Sequence, residues 1–285
     1  RGIALARDYA RKREAFGKAI IDQPLHQETL ADLESTYEGM FHLSFRVAEL
    51  LGGSDAGSLS EDEQALLRLL TPIAKLTTGK QVVACMSEVL EAFGGAGYVE
   101  DTGIPALLRD AQVLPIWEGT TNVLSLDLLR AIRSVGGLDP LQHEFQRLAD
   151  SIASPTLTQP MSVAREAFAN AAGWLQGVMG DEEKVQAGAR RFALTIGNAL
   201  EVALTCHHAQ WTLNREQDAR SAAAAKRLAA QRISHVTNVG HRAAHMLVSD
   251  VKNPSLLTQY ESRGDGAAAR GESDSAERKT FSSRT

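Results

Sequence analysis

Glu118 stands directly after the apolar run Val113-Leu114-Pro115-Ile116-Trp117 and directly before Gly119-Thr120-Thr121-Asn122. A carboxylate walled by apolar side chains loses water, its pKa climbs towards neutrality, and it becomes a better base. A Glu here equally suits a helix start, where the helix dipole favours an acid. A second cluster is Gly94-Gly95-Ala96-Gly97-Tyr98. Lacking side chains, Gly94, Gly95 and Gly97 let backbone N–H groups approach an anionic pyrophosphate. A helix C-cap followed by a tight turn would use the same glycines. Arg13 offers a planar fork for phosphate and Phe16 an aromatic face; a solvated helix charge and a core ring are their plainer roles. His241 and His245 are one helical turn apart, but nearby residues do not complete a ligand set, and no metal is assigned.

These residues need elements to hold them. Apolar positions at threes and fours predict a helix ending near residue 15 and another from Pro24 to about Leu51. Gly52-Gly53 should end the second, and Gly52 to Leu59 should be a loop. Ser60 followed by Glu63 is a capping box that opens a helix to about Phe93, with Pro72 expected to kink or interrupt it. The glycine cluster predicts a turn with positive φ. A short helix is expected over about 105–110, and a longer one from Glu118 or Thr121 to Arg133. Further helices are expected over about 139–153, 161–178, 181–209 and 216–248. Pro155, Pro160, Gly180 and the Asn214 region should break them. No segment alternates like a strand, so the fold class is all-α. The expected organisation is a helix bundle over 1–137, a helical extension over 138–260 and a disordered tail over 261–285.

The composition agrees. The 285 residues are rich in Ala and Leu and poor in Pro and aromatics, which favours helices. A formal net charge of −5 argues against a general nucleic-acid binder. The extension carries about a dozen acids and about a dozen bases, so it generates no strong cationic field. Cys85 and Cys206 are too few for a disulfide framework and read as reduced, buried thiols of an intracellular protein. No apolar stretch is long enough to span a bilayer. The chain opens at Arg1, inside a helical pattern and without Met, and so reads as a fragment lacking its N-terminal part.

Tyr9 to Lys18, Glu91 to Tyr98, and Leu108-Arg109-Asp110 with Ile116 to Asn122 stand in an order and spacing that resemble the C-terminal helical domain of acyl-CoA dehydrogenases. That family's motifs read R-x-x-F-G, G-G-x-G-Y, R-D and Y-E-G-T. The resemblance covers roughly residues 1 to 135. It implies an FAD-dependent oxidoreductase that forms the α,β double bond of an acyl-CoA thioester. Glu118 would be the base and FAD the hydride acceptor, with the thioester enolate held by the base's own backbone N–H and a flavin hydroxyl. Gly119 would let backbone approach substrate, and Thr120, Thr121 and Asn122 would contact the flavin. Gly94 and Gly95 would hold its pyrophosphate. Arg13 and Phe16 would reach the FAD of a neighbouring subunit, which implies a homo-oligomer. The family's N-terminal helical domain and central β-barrel, which hold much of the flavin, fall outside these residues.

Three positions depart from the usual pattern: Glu91 replaces a Gln, Trp117 a Tyr and Pro24 a Gln. A carboxylate at 91 cannot donate to the cofactor unless protonated. With the extra helical block, these departures resemble the AidB-like branch. They admit an alternative function: a flavin-containing acyl-chain-binding or regulatory protein with little turnover.

Overall fold

The structure is a computed structural model and describes residues 1–237 together with 244, 247 and 248. The expected tail, His241, His245 and the end of the 138–260 extension lie outside these residues. Residues 1–237 form one compact, all-α unit.

Helix α1 (Gly2–Lys12) ends earlier than expected, because the chain turns into a miniature hairpin of β1 (Glu14–Ala15) and β2 (Lys18–Ala19). Glu14 pairs with Ala19 and Ala15 with Lys18. Phe16 and Gly17 form the two-residue turn, both with positive φ (54° and 82°). Such a turn matches the twist of paired strands.

Helix α2 (Pro24–Asp55) starts on Pro24, whose fixed φ suits a first turn, and runs through Gly52-Gly53 to Asp55. Gly53 answers to space rather than to helix termination: a Cβ there would stand 2.5 Å from Leu59 Cδ2. Helix α3 (Glu61–Ala92) opens with the expected capping box. Ser60 Oγ accepts from the Glu63 N–H, and the Glu63 carboxylate accepts from the Ser60 N–H. Pro72 does not interrupt it. The proline removes one backbone hydrogen bond, but Leu69, Leu70 and Ile73 around it are fully buried, and their packing holds the helix together.

After α3 come one helical turn, α4 (Gly95–Tyr98), then α5 (Ile104–Val113) and α6 (Thr121–Val135). The later helices are α7 (Asp139–Asp150), α8 (Pro155–Val178), α9 (Glu182–Arg215) and α10 (Arg220–Ala230). Pro155 starts α8 instead of breaking it, and Pro160 is buried within its first turns. The helix expected over 216–248 stops at Ala230. From there Ile233 is buried, and His235 is pinned by its N–H to Thr195 Oγ1 at 2.9 Å.

The larger of two apolar clusters joins α2, α3 and α6 to α7, α8, α9 and α10. Packing therefore runs straight through Gly136-Gly137. The smaller cluster joins α1, the start of α2, the end of α3 and Ile104. Between α2 and α7 the buried Glu144 accepts from Arg46 and from Arg147 at 2.7–3.1 Å. Burial alone would raise the Glu144 pKa, but the two guanidinium groups hold it below the usual carboxylate range.

Candidate functional site

The connection from α5 to α6 carries Glu118. Trp117 N–H bonds back to Val113 O at 3.0 Å, and the chain then reverses through two residues of positive φ, Glu118 (53°) and Gly119 (113°). A left-handed Glu is an uncommon conformation that other contacts must sustain. Gly119 fits because only glycine takes such a φ readily. Thr120 then caps α6 in extended geometry, and its side chain makes no cap hydrogen bond.

The contact that sustains the turn comes from α3. Lys75 Nζ donates to Trp117 O and to Gly119 O, both at 2.6 Å, so one ammonium bridges the carbonyls on either side of Glu118. Burial lowers the Lys75 pKa, and the nearby Glu118 charge opposes that shift. The family motifs do not mark Lys75. A lone cation inside the apolar stretch Leu69 to Leu76 is the signal that could have found it, since such a charge needs a partner.

The apolar run before Glu118 does not enclose it. Ile116 is 60% exposed and Trp117 53% exposed, and the Glu118 side chain is itself exposed. The dry pocket expected from sequence is therefore not closed by this unit, because the run lies on its surface. Thr121 is buried, with its carbonyl accepting from Ser125 Oγ at 2.7 Å. Asn122 Oδ1 accepts from Arg190 at 3.4 Å.

Arg13 and Phe16 belong to the hairpin region after α1, whereas Gly94 and Gly95 follow the C-terminal end of α3. Phe16 is 98% exposed at the hairpin tip. It shares a groove of about 420 Å³ with Gln23, His26 and Glu91. Arg13 is exposed and has no ion-pair partner among the described residues. Gly94 has φ 59°, and a Cβ on either Gly94 or Gly95 would meet open space. Gly97 instead packs tightly, because a Cβ there would stand 1.9 Å from Leu90 O. Lys75 and Glu91 are sixteen residues apart on one helix, or about 24 Å along its axis at 1.5 Å per residue. These residues are thus not brought together with Glu118 within this unit.

The histidines do other work. His207 Nδ1 meets Ser151 Oγ at 2.7 Å, and His235 Nε2 meets Asn198 at 3.0 Å. His42 packs on His208 with ring centres 4.5 Å apart. Burial, with His208 and His207 adding to it, pushes His42 down to about 4. Cys85 and Cys206 are both free and buried. A groove of about 820 Å³ between α6, α7 and α8 contains none of the expected site residues. Among the described residues, no helix is long and apolar enough to cross a membrane.

Residues 1–133 match the family model described as acyl-CoA dehydrogenase, C-terminal domain. Over 217 residues the chain is 43% identical to acyl-CoA dehydrogenase family member 11 of Caenorhabditis elegans, covering 73% of this chain and 35% of that one. It is 35% identical over 146 residues to the putative acyl-CoA dehydrogenase AidB of Escherichia coli, covering 50% and 26%. Among solved structures it resembles Caenorhabditis elegans ACDH-11 in complex with C11-CoA. There the TM-score is 0.74 at 38% identity, over 83% of this chain and 41% of that one. The acyl-CoA dehydrogenase of Bacillus anthracis complexed with FAD shares the fold, with TM-score 0.67 at 18% identity over 92% and 48%. The chain spans about a quarter to a third of the length of these curated relatives. The helix order, the glycine turn after α3 and the Glu-Gly-Thr connection before α6 agree with these matches, and residues 1–133 belong to the C-terminal domain of the acyl-CoA dehydrogenase family.

Proposed function

We propose that this chain supplies the base and part of the flavin cradle of an FAD-dependent acyl-CoA dehydrogenase. The observation that carries the reading is the turn at Glu118. Its carboxylate is presented at the surface, and the Glu118 N–H has no hydrogen-bond partner among the described residues. In a trans peptide the N–H points away from the carbonyl of the preceding residue. Because Trp117 O faces Lys75, the Glu118 N–H faces the opposite side. A thioester bound on that side would have its carbonyl oxygen on the N–H and its acidic α-proton before the carboxylate.

The residues present fit a flavin. Open space at Gly94 and Gly95, the unpaired Arg13 and the Thr120 hydroxyl without a cap bond are suited to phosphate and hydroxyl groups. FAD, when bound, would accept the hydride leaving the substrate β-carbon. Gly119, Thr120, Thr121 and Asn122 would line its approach, while Arg13 and Phe16, distant from Glu118 along α3, would serve the flavin of a second copy in a homo-oligomer. The walls missing around Glu118 would come from the flavin, the substrate and protein beyond these residues. In this scheme residues 1–137 form the catalytic unit, and α7 to α10 stiffen α3 and α6 from behind.

The test is anaerobic titration of the full-length flavoprotein with acyl-CoAs of increasing chain length. Bleaching of the flavin band is expected, slowed about 10²–10⁴-fold in Glu118→Gln. Tight binding without bleaching at every chain length would instead identify an acyl-chain-binding protein with little turnover.

A further inference from the structure

Lys75 is a cation whose hydrogen bonds go to backbone. It makes no ion pair among the described residues, and both of its short contacts are to carbonyl oxygens, Trp117 O and Gly119 O. These two carbonyls flank the single residue whose backbone is left-handed and whose side chain is the proposed base. Beyond the Trp117 N–H bond to Val113 O, the described structure gives the turn no hydrogen bond from the Glu118 or Gly119 N–H groups. The clamp from α3 is thus what defines its geometry.

A neutral donor could hold a carbonyl in place. A cation does more. Trp117 C=O and Glu118 N–H are the two ends of one conjugated peptide unit, so a positive charge on the oxygen draws electron density from the nitrogen. The N–H becomes a stronger donor, as in any polarised hydrogen-bond chain. Lys75 has a firm base for this, because its neighbours Ile73 and Leu76 on α3 are fully buried.

We infer that Lys75 is a positioning residue for this site. Through the carbonyls of Trp117 and Gly119 it fixes Glu118 in its left-handed conformation. It thereby aims and polarises the Glu118 N–H as the donor to the substrate thioester oxygen. The inference rests on the reading of this turn as an acyl-CoA site and deepens it: one residue presents acid–base chemistry by its side chain and carbonyl polarisation by its backbone, and Lys75 sets the angle between them.

The experiment uses the full-length flavoprotein and a ¹³C-carbonyl-labelled acyl-CoA with sulfur in place of the β-carbon, from which no hydride can leave. Difference infrared spectroscopy reads the carbonyl stretch. In the wild type the bound band should lie below its position in water. Glu118→Gln keeps the backbone N–H and should keep the displacement. Lys75→Met should bind the analogue and lose at least half of it. With a reactive substrate, Lys75→Met should lower kcat about 100-fold with KM nearly unchanged, the pattern of an interaction made mainly in the transition state. A full displacement in Lys75→Met overturns the inference, as does the absence of any displacement in the wild type. Should Lys75→Met fail to fold, Lys75→Leu, which likewise removes every donor, is read in the same way. The two readings fail separately: turnover surviving in Glu118→Gln removes the base assignment, while the carbonyl band still judges Lys75.

Discussion

At position 118 the backbone and the side chain have opposed interests. The left-handed conformation of Glu118 is unfavourable for a residue with a Cβ by about 1–2 kcal/mol, whereas glycine would adopt it freely. Glu118→Gly is therefore expected to cost no stability and to gain up to about 1 kcal/mol in urea unfolding; a loss larger than that would show that the carboxylate side chain packs. Gly97 presents the reverse case. Its absent Cβ would stand 1.9 Å from Leu90 O, so Gly97→Ala should destabilise by about 1–3 kcal/mol, the range for overpacking. The positive φ at Gly94 was legible in the sequence, because it sits in a short local motif, whereas Gly95 to Tyr98 form a helical turn instead and the left-handed turn at Glu118 and Gly119 was not foreseen. Nor was Lys75: it lies 43 residues from Glu118, and only the return of α5–α6 across α3 brings them together. The exposure of Trp117 was also hidden, since an apolar run does not reveal which side faces the fold.

Helices were legible where local signals agreed and less so where packing decided. Ser60 and Glu63 form the reciprocal cap that their spacing predicts. Ser60→Ala should cost about 1 kcal/mol in thermal or urea unfolding, and no change would mean that the first turn of α3 frays without penalty. The prolines misled in one direction. Pro72 and Pro160 lie inside α3 and α8 among buried side chains, and burial of the surrounding helix outweighs one missing N–H. Gly52-Gly53 misled likewise, because the close approach of Leu59 explains Gly53 better than chain reversal does. The hairpin of Glu14 to Ala19 escaped notice because strands of two residues are too short to show alternation. The stop at Ala230 escaped because the Thr195 and Asn198 bonds that hold His235 are long-range.

On the scale of the whole unit, the all-α class was plain from composition and period, but the continuity of the core across Gly136-Gly137 was not. Sequence shows where a chain bends, not which faces meet afterwards. Two buried acids make that junction testable. Removing Glu144, which binds Arg46 of α2 and Arg147 of α7, leaves guanidinium groups without their partner. Glu144→Ala should cost about 3–5 kcal/mol in denaturant unfolding. Glu201 on α9 is buried and accepts from Gln81 of α3 at 2.6 Å. Burial raises its pKa from 4.5 to about 8, against the opposing effect of the Gln81 hydrogen bond. The folded state therefore holds a proton that the unfolded state releases. Its contribution is full below pH 4.5 and is lost progressively as pH rises through about 8. Glu201→Gln should flatten the dependence of Tm on pH across that window, and an unaltered slope would show that Glu201 ionises without cost.

The chain has three tryptophans, and the fold gives each a different optical environment. Trp174 packs against Phe192 with ring centres 5.9 Å apart, and Trp211 stacks on His208. Trp117, half in water, adjoins Glu118. Trp211 is about as exposed, so both should emit to the red of Trp174, but Trp117 alone adjoins the turn and is the one sensitive to anything that covers it. A thioester settling there would drive the Trp117 emission to the blue, and a flavin within range would quench it by energy transfer. Comparing the protein with Trp117→Phe would isolate that signal, so the molecule carries its own occupancy gauge at the residue that matters most.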